Sequence, residues 1–314
     1  MSFLVGGSWV FFTSTSLPIR IAGLLVSTLG SVGIGSNTHT ASHYATASRR
    51  GLNEALLYFG YPFCLGFSAC YWSADHLTGH HIAPNVVGKD NDFEYSPFFA
   101  ITESDIESAG PLMQRYHRHL QLLAFLMFLP LFGFNLQRCG ILHLLNTRAK
   151  WNSGRKQVLF DSLCLVGHLA VFLVLPSLLF GIKLALIAYA LRIGLMSICM
   201  FAILAPAHLV PEAPILTQEE FAELGHCAAQ TLTTVNYRGG PMVRWYAAGL
   251  DYQIEHHLFP EICHVYYPEI SPLVQEFCRD HNLPYRWRSF SSAVYEAVRV
   301  FSRPKPVGYS AGSE

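Results

Sequence analysis

Apolar residues along this chain gather into a few long runs separated by polar, histidine-bearing segments. A membrane-crossing helix needs about 20 mostly apolar residues. Three runs come near that length: 17–36, from Leu17 through LLVSTLGSVGIG; 159–180, LFDSLCLVGHLAVFLVLPSLLF; and 184–206, LALIAYALRIGLMSICMFAILAP. A shorter apolar lead covers 3–12, and only GIK separates the last two runs, which predicts a hairpin. Towards the C-terminus the pattern changes to helical spacing. Ile270, Leu273, Val274 and Phe277 recur at that spacing, as do Val294, Ala297, Val298 and Phe301, predicting a helical cap over roughly 207–303. The tail after Pro304 reads as disordered.

Two more apolar stretches, 55–72 and 121–136, are placed by the histidines. Histidine clusters fall at 39–43, 76–81 and 256–257, and to act together they must share one side of a bilayer. A single crossing at 55–72 would part the first two clusters, and two crossings do not fit between them. An even number of crossings must also separate the second cluster from the third. Both stretches are therefore expected to be interfacial helices. The fold class expected is an all-α integral membrane protein, with few transmembrane helices, interfacial helices and a helical cap. It forms one domain over 1–314, without internal repeats.

Composition agrees. Charged residues make up 13% of the chain and hydrophobic ones 51%, against about 25% charged in soluble proteins. A net charge of +0 argues against nucleic acid. Of the 21 Lys and Arg, all but Arg20, Lys183 and Arg192 lie in segments that carry or flank the clusters, so the histidine side is expected to be cytoplasmic. No Lys or Arg precedes Arg20, so the basic start of a signal peptide is not expected. The eight cysteines are scattered without a C-x-x-C pair and read as reduced thiols.

Five of the fifteen histidines sit in H-T-A-S-H at 39–43 and H-L-T-G-H-H at 76–81. On an α-helix, residues four apart share a face, so His39 pairs with His43 and His76 with His80. Adjacent histidines point about 100° apart. His80 and His81, and likewise His256 and His257, are then expected to reach towards different metals or different sides of one cluster. So many imidazoles without a cysteine motif suit iron, copper or zinc, and they are too many for one four-coordinate zinc.

These residues resemble the membrane fatty acid desaturase superfamily, whose histidine boxes read H-x(3,4)-H, H-x(2,3)-H-H and [H/Q]-x-x-H-H. All three occur in order: His39/His43, His76/His80/His81 and Gln253/His256/His257. QIEHHLFP is similar to the front-end branch. HHIAPNVVGKDNDFE (80–94) and WYAAGLDYQIEHHLFPEICHVYYPEISPLVQEFCRDHNLPY (245–285) resemble that branch too, the latter especially its bacterial linoleoyl-CoA-desaturase-like members. The resemblance runs over 37–290. It implies one more ligand after the last span, matched by His208 in APAHLVPE. The implied set is His39, His43, His76, His80, His81, His208, His256 and His257, with Gln253 as a ligand or a hydrogen-bond donor. The family usually has two spans before the first box, where this chain has room for one and a fragment. Many front-end members carry an N-terminal cytochrome b5-like domain with an H-P-G-G motif. None is found here, so a separate donor, a ferredoxin or cytochrome b5-like protein, is expected.

The resemblance implies a non-haem di-iron centre, dioxygen as co-substrate, and insertion of a cis double bond into the acyl chain of an acyl-CoA or acyl-lipid. Such chemistry belongs to the cofactor, while the protein supplies geometry. Activity is expected to fall as histidines protonate below about pH 6. Asp75, Asn37, Asp251 and Glu255 are candidates for orienting the rings. The alternatives are a di-iron lipid hydroxylase or a sphingolipid or carotenoid oxygenase of the same superfamily. Further away stand a zinc-dependent membrane hydrolase or receptor and a metal-free scaffold. His117 and His119 read as interfacial, His168 as a helix–helix hydrogen bond, Arg192 as a buried pair or a snorkelling side chain, and His264 as structural. His143, His226 and His281 read as surface, and 88–94 as a solvated loop. Arg115, Arg118, Lys150 and Arg155 are weak candidates for contact with lipid or coenzyme A phosphate.

Overall fold

The computed structural model describes residues 1–93, 95–146 and 154–309. Lys150 and the end of the tail lie outside them. The chain forms two compact units, one from 1–74 with 129–200 and the other from 75–128 with 201–314. Among the described residues, four helices are long and apolar enough to cross a membrane: Leu17–Ser42, Gln121–Leu145, Arg155–Phe180 and Ile182–Ala207.

In the first unit, the apolar lead forms the helix Ser2–Thr13, which packs along Leu17–Ser42. Small residues permit this. A Cβ on Gly23 would lie 2.8 Å from the Gly7 carbonyl oxygen, and one on Gly30 would strike the Leu4 backbone. Close approach through small residues is a common way for apolar helices to associate. Ser8 and Ser27 hydroxyls meet at 2.8 Å across the pair. The long helix runs past its apolar stretch to Ser42, carrying His39 in its last turn and ending on His43.

The 55–72 stretch is broken into Arg50–Tyr58, a π-helix Phe59–Leu65 and a short helix Ala69–Trp72. Gly66, at φ +77°, takes the left-handed conformation between the last two. Polar side chains from the apolar helices hold these pieces. Asp161 Oδ2 accepts from Ser68 Oγ at 2.7 Å and Cys70 N at 2.9 Å. His168 sets Nδ1 2.9 Å from the Phe63 carbonyl and Nε2 2.8 Å from the Tyr189 hydroxyl. That is the helix–helix role expected of it. Arg192 is buried, its guanidinium 4.8 Å from the Phe172 ring and 3.3 Å from Ser31 Oγ. Gly181 alone, at φ +90°, turns the hairpin between Arg155–Phe180 and the following helix.

Gln121–Leu145 is longer than the apolar stretch 121–136 suggests, and a 3₁₀ turn at Leu129–Leu131, containing Pro130, interrupts it. Proline lacks the N–H that a continuous α-helix requires.

The second unit contains the cap. Two short parallel strands, Asn236–Arg238 and Trp287–Ser289, interrupt its helices. Phe125 stacks on Phe301 at 3.7 Å, with Phe99 and Phe201 against them. In Tyr267–Asp280 the buried face is Tyr267, Val274 and Cys278, whereas Leu273 and Phe277 are exposed. The beginning of the tail is ordered, contrary to expectation. Lys305 is buried, and its ammonium donates to carbonyls of Val210 at 2.9 Å and His208 at 3.5 Å, and to that of Ala213. The Gly308 N–H donates to the Ile215 carbonyl at 2.8 Å.

Candidate metal centre

Within the second unit the structure brings together His76, His80, His81, His208, His256, His257 and Gln253, all of them buried. The segment Ser73–His80 is a π-helix, and the His81 N–H closes onto the His76 carbonyl at 3.0 Å. The hydrogen bonds of such a helix span five residues rather than four. His81 therefore returns to the face of His76, and their Nε2 atoms lie 3.1 Å apart. His80 stacks on His76 at 5.1 Å between ring centres but opens towards a different set of rings. His76 thus keeps His80 beside it, as α-helical spacing predicts, and gains His81 as a second neighbour.

The third box lies on the buried helix Gln253–Leu258. Asn236 fixes its start, accepting from Ile254 N at 2.8 Å and donating to Glu255 at 2.8 Å. The Tyr285 hydroxyl donates to the same carboxylate at 2.5 Å. Adjacent His256 and His257 stand 83° apart in plane. His256 Nε2 lies 3.1 Å from His81 Nε2, while the His257 ring lies 5.0 Å from those of His80 and His208. Two triads result: His76, His81 and His256, and His80, His208 and His257, each with ring nitrogens within 4.8 Å of one another. Each doubled histidine sends one ring to each triad. Gln253 Nε2 is 3.0 Å from His208 Nε2, so it belongs with the second triad. In the first unit, His39 and His43 end the Leu17–Ser42 helix with rings 5.0 Å apart, and the Trp72 ring lies 5.7 Å from His39.

These residues fit a metal. Imidazole nitrogens bind at about 2.0–2.1 Å, which puts two that share an ion about 3 Å apart. The Nε2 separations of 3.1 Å for His76–His81 and His81–His256 match that spacing. The donor set is imidazole without thiolate.

The groups that orient the rings are mostly ones that spacing did not pick out. Asp90 Oδ2 lies 2.9 Å from His80 Nδ1 and accepts from Asn85 N at 2.8 Å. Asp92 Oδ2 lies 3.1 Å from His76 Nδ1. Gln230 sets Oε1 2.9 Å from His257 Nδ1 and donates to the His81 carbonyl at 2.9 Å. The Thr233 carbonyl lies 3.3 Å from His208 Nδ1, and the Tyr267 hydroxyl 3.3 Å from His256 Nδ1. The run expected to be a solvated loop thus buries Asp90. Of the residues expected to orient rings, Asp75 accepts from Asn91 at 3.1 Å and Glu255 anchors the third-box helix. Asn37 donates to Gly33 in its own helix at 2.8 Å, and Asp251 accepts from Tyr237 N through its backbone carbonyl at 3.1 Å.

Electrostatics follow the contacts. Burial pushes the His80 imidazole down, but the carboxylates of Asp90, Asp92 and Asp75 outweigh it and lift His80 to about 9 in the metal-free protein. Burial, with His80 adding to it, holds His208 well below its ordinary value. Outside the cluster, His117 is buried with Nε2 3.1 Å from the Pro97 carbonyl. His143 is half-buried, 5.9 Å from the Tyr71 ring, and His226 and His281 are exposed.

A profile of the family described as fatty acid desaturase matches residues 15–289. The chain is similar to an sn-1 linoleoyl-lipid 6-desaturase of Synechocystis sp., with 24% identity over 93% of this chain and 82% of the relative. It is similar also to fatty acid desaturase 3 of Bos taurus, at 26% identity over 96% of this chain and 64% of the relative. The Delta(6)-fatty-acid desaturase fat-3 of Caenorhabditis elegans is 30% identical over 79% of this chain and 56% of its own length. The chain thus spans little more than half to four fifths of these relatives. The profile covers most of the chain, and relatives from bacteria and animals align along it: the chain belongs to the fatty acid desaturase family.

Proposed function

We propose that this protein is a membrane-bound acyl desaturase that inserts a cis double bond into the chain of an acyl-CoA or acyl-lipid. Family membership and four apolar helices make it a membrane protein, and the histidine clusters indicate a metal site. The observation that carries the finer reading is the interleaving of the second and third boxes into two triads. Two sites of neutral imidazoles suit a pair of iron ions, with His39 and His43 completing the set that the resemblance implies. Two irons with dioxygen would supply the oxidising power for an unactivated methylene, which no side chain has.

The residues of the chain have definable tasks in this reading. Asp90, Asp92 and Gln230 hold imidazoles by Nδ1, which directs Nε2 inward. Burial of the histidines keeps bulk water from the site. Gln253 steadies His208 or joins it as a ligand.

Topology supports the reading. His80 and His81 share a unit with His208 and His256, so an even number of crossings should separate them. Arg155–Phe180 and Ile182–Ala207 form a hairpin and are read as crossing, whereas Gln121–Leu145, interrupted at Pro130, is read as embedded without crossing. The basic residues in the segments that carry or flank the histidines support a cytoplasmic histidine side. Electrons then come from a donor of ferredoxin or cytochrome b5 type.

The test is to count metals per chain in detergent-purified protein and to compare host lipids with and without expression. About two irons and a new double bond that disappears in His81→Ala are expected. One zinc without iron, or a new hydroxyl in place of a double bond, would overturn the reading.

A further inference from the structure

Asp92 has a geometry that sets it apart from Asp90. Its Oδ2 lies 3.1 Å from His76 Nδ1 and 3.8 Å from His80 Nδ1. Those rings are stacked 5.1 Å apart, yet they open on different triads, His76 with His81 and His256, and His80 with His208 and His257. Asp90 is directed to His80 and to the loop backbone, accepting from Asn85 N and, at 3.1 Å, from Asp92 N. The backbone of Asp92 therefore also helps to fix Asp90. Its side chain is 32% exposed, against 1% for that of Asp90.

Resting on the two-metal reading above, we propose that Asp92 is a positioning residue shared by both metal subsites. A carboxylate that accepts from Nδ1–H fixes the tautomer, orients the ring and raises the basicity of the metal-binding nitrogen. Asp92 does this directly for His76. For His80 the same carboxylate adds its charge 3.8 Å from Nδ1, while the Asp92 N–H, which any residue there would keep, donates to Asp90. One carboxylate thereby ties the affinities of the two subsites together. The π-helix makes this possible, because it stacks His76 on His80 while turning the rings to different triads.

The test uses full-length, metal-free protein in detergent, titrated anaerobically with ferrous ion against a chromophoric chelator. Mössbauer spectra of protein loaded with enriched iron give a second readout. For Asp92→Asn, both equivalents are expected to weaken by about 10–100-fold, the range for removing such outer partners, and both ferrous signals to change. Asp90→Asn is expected to weaken one equivalent more than the other. The proposal is overturned if Asp92→Asn loses one equivalent while the other keeps its unaltered affinity and signal, or if neither changes. Fewer than two irons bound by the unaltered protein would overturn the two-metal reading itself, a separate and earlier result. Thermal unfolding of the metal-free variants reports a loss of fold. Should Asp92→Asn fail to fold, Asp92→Glu carries the same test, and an unequal effect on the two equivalents again refutes the shared role.

Discussion

Replacing Gln230 with Leu removes one amide and leaves two buried groups to answer for it. Gln230 is fully buried on the helix His226–Thr233, and its two ends do different work. The oxygen lies 2.9 Å from His257 Nδ1, and the nitrogen donates to the His81 carbonyl at 2.9 Å. Leaving a buried polar group without its partner costs about 1–3 kcal/mol. With two such groups, the metal-free variant should lose on the order of 2–6 kcal/mol, a large part of the 5–15 kcal/mol typical of folded domains. Metal affinity should fall as well, by about 10–100-fold at the subsite of His257. Chemical unfolding of metal-free protein reports the first loss and chelator competition the second. Gln230→Glu separates the ends, because a carboxylate keeps the acceptor for His257 and discards the donor to His81. That variant should retain metal better than Gln230→Leu while remaining destabilised. The reasoning is wrong if Gln230→Leu unfolds with the unaltered midpoint and binds metal with unaltered affinity.

Three further outcomes are expected. With His80 lifted to about 9, metal uptake at pH 7.5 should release a proton, seen by calorimetry in buffers of different ionisation enthalpy. The same raised value stabilises the metal-free fold fully below the unfolded value of about 6.5, and that stability fades as pH rises through about 9. Unfolding midpoints that do not fall across this window would contradict it. Lys305→Met should loosen the 208–213 segment, whose carbonyls the ammonium holds, and hydrogen exchange there should rise well above that of the unaltered protein. Gly30→Val should push the helix Ser2–Thr13 off its neighbour, which a disulfide-trapping pair placed at Ser8 and Ser27 would report as lost cross-linking.

The histidines were legible in the sequence because their chemistry is rare and their spacing is tight. The apolar runs were legible too, although the Leu17–Ser42 helix outruns its hydrophobic stretch with a polar, histidine-bearing last turn. What the spacing hid was the helix type. An H-x-x-x-H-H string looks the same on an α-helix or a π-helix, so the spacing shows His80 beside His76 but not the approach of His81. Asp90 and Asp92 sat in a run, G-K-D-N-D-F-E, whose polarity is that of any solvent-facing loop. Gln230 had no local signal, since its partners His81 and His257 are distant in sequence. Lys305 was hidden in a Pro- and Gly-containing tail, because three backbone carbonyls able to accept a buried ammonium leave no trace in composition.

The π-helix at Ser73–His80 bears on how this site can be transplanted or altered by insertion and deletion. A π-helical turn accommodates one residue more than an α-helical turn. Wound as ordinary α-helix with its sequence unchanged, the segment would set His81 about 140° round the axis from His76 and part them without changing a single ligand. A designer grafting this box onto a regular α-helical scaffold would copy every histidine and still lose the geometry. What has to be carried across is the extra residue, along with the backbone that tolerates it.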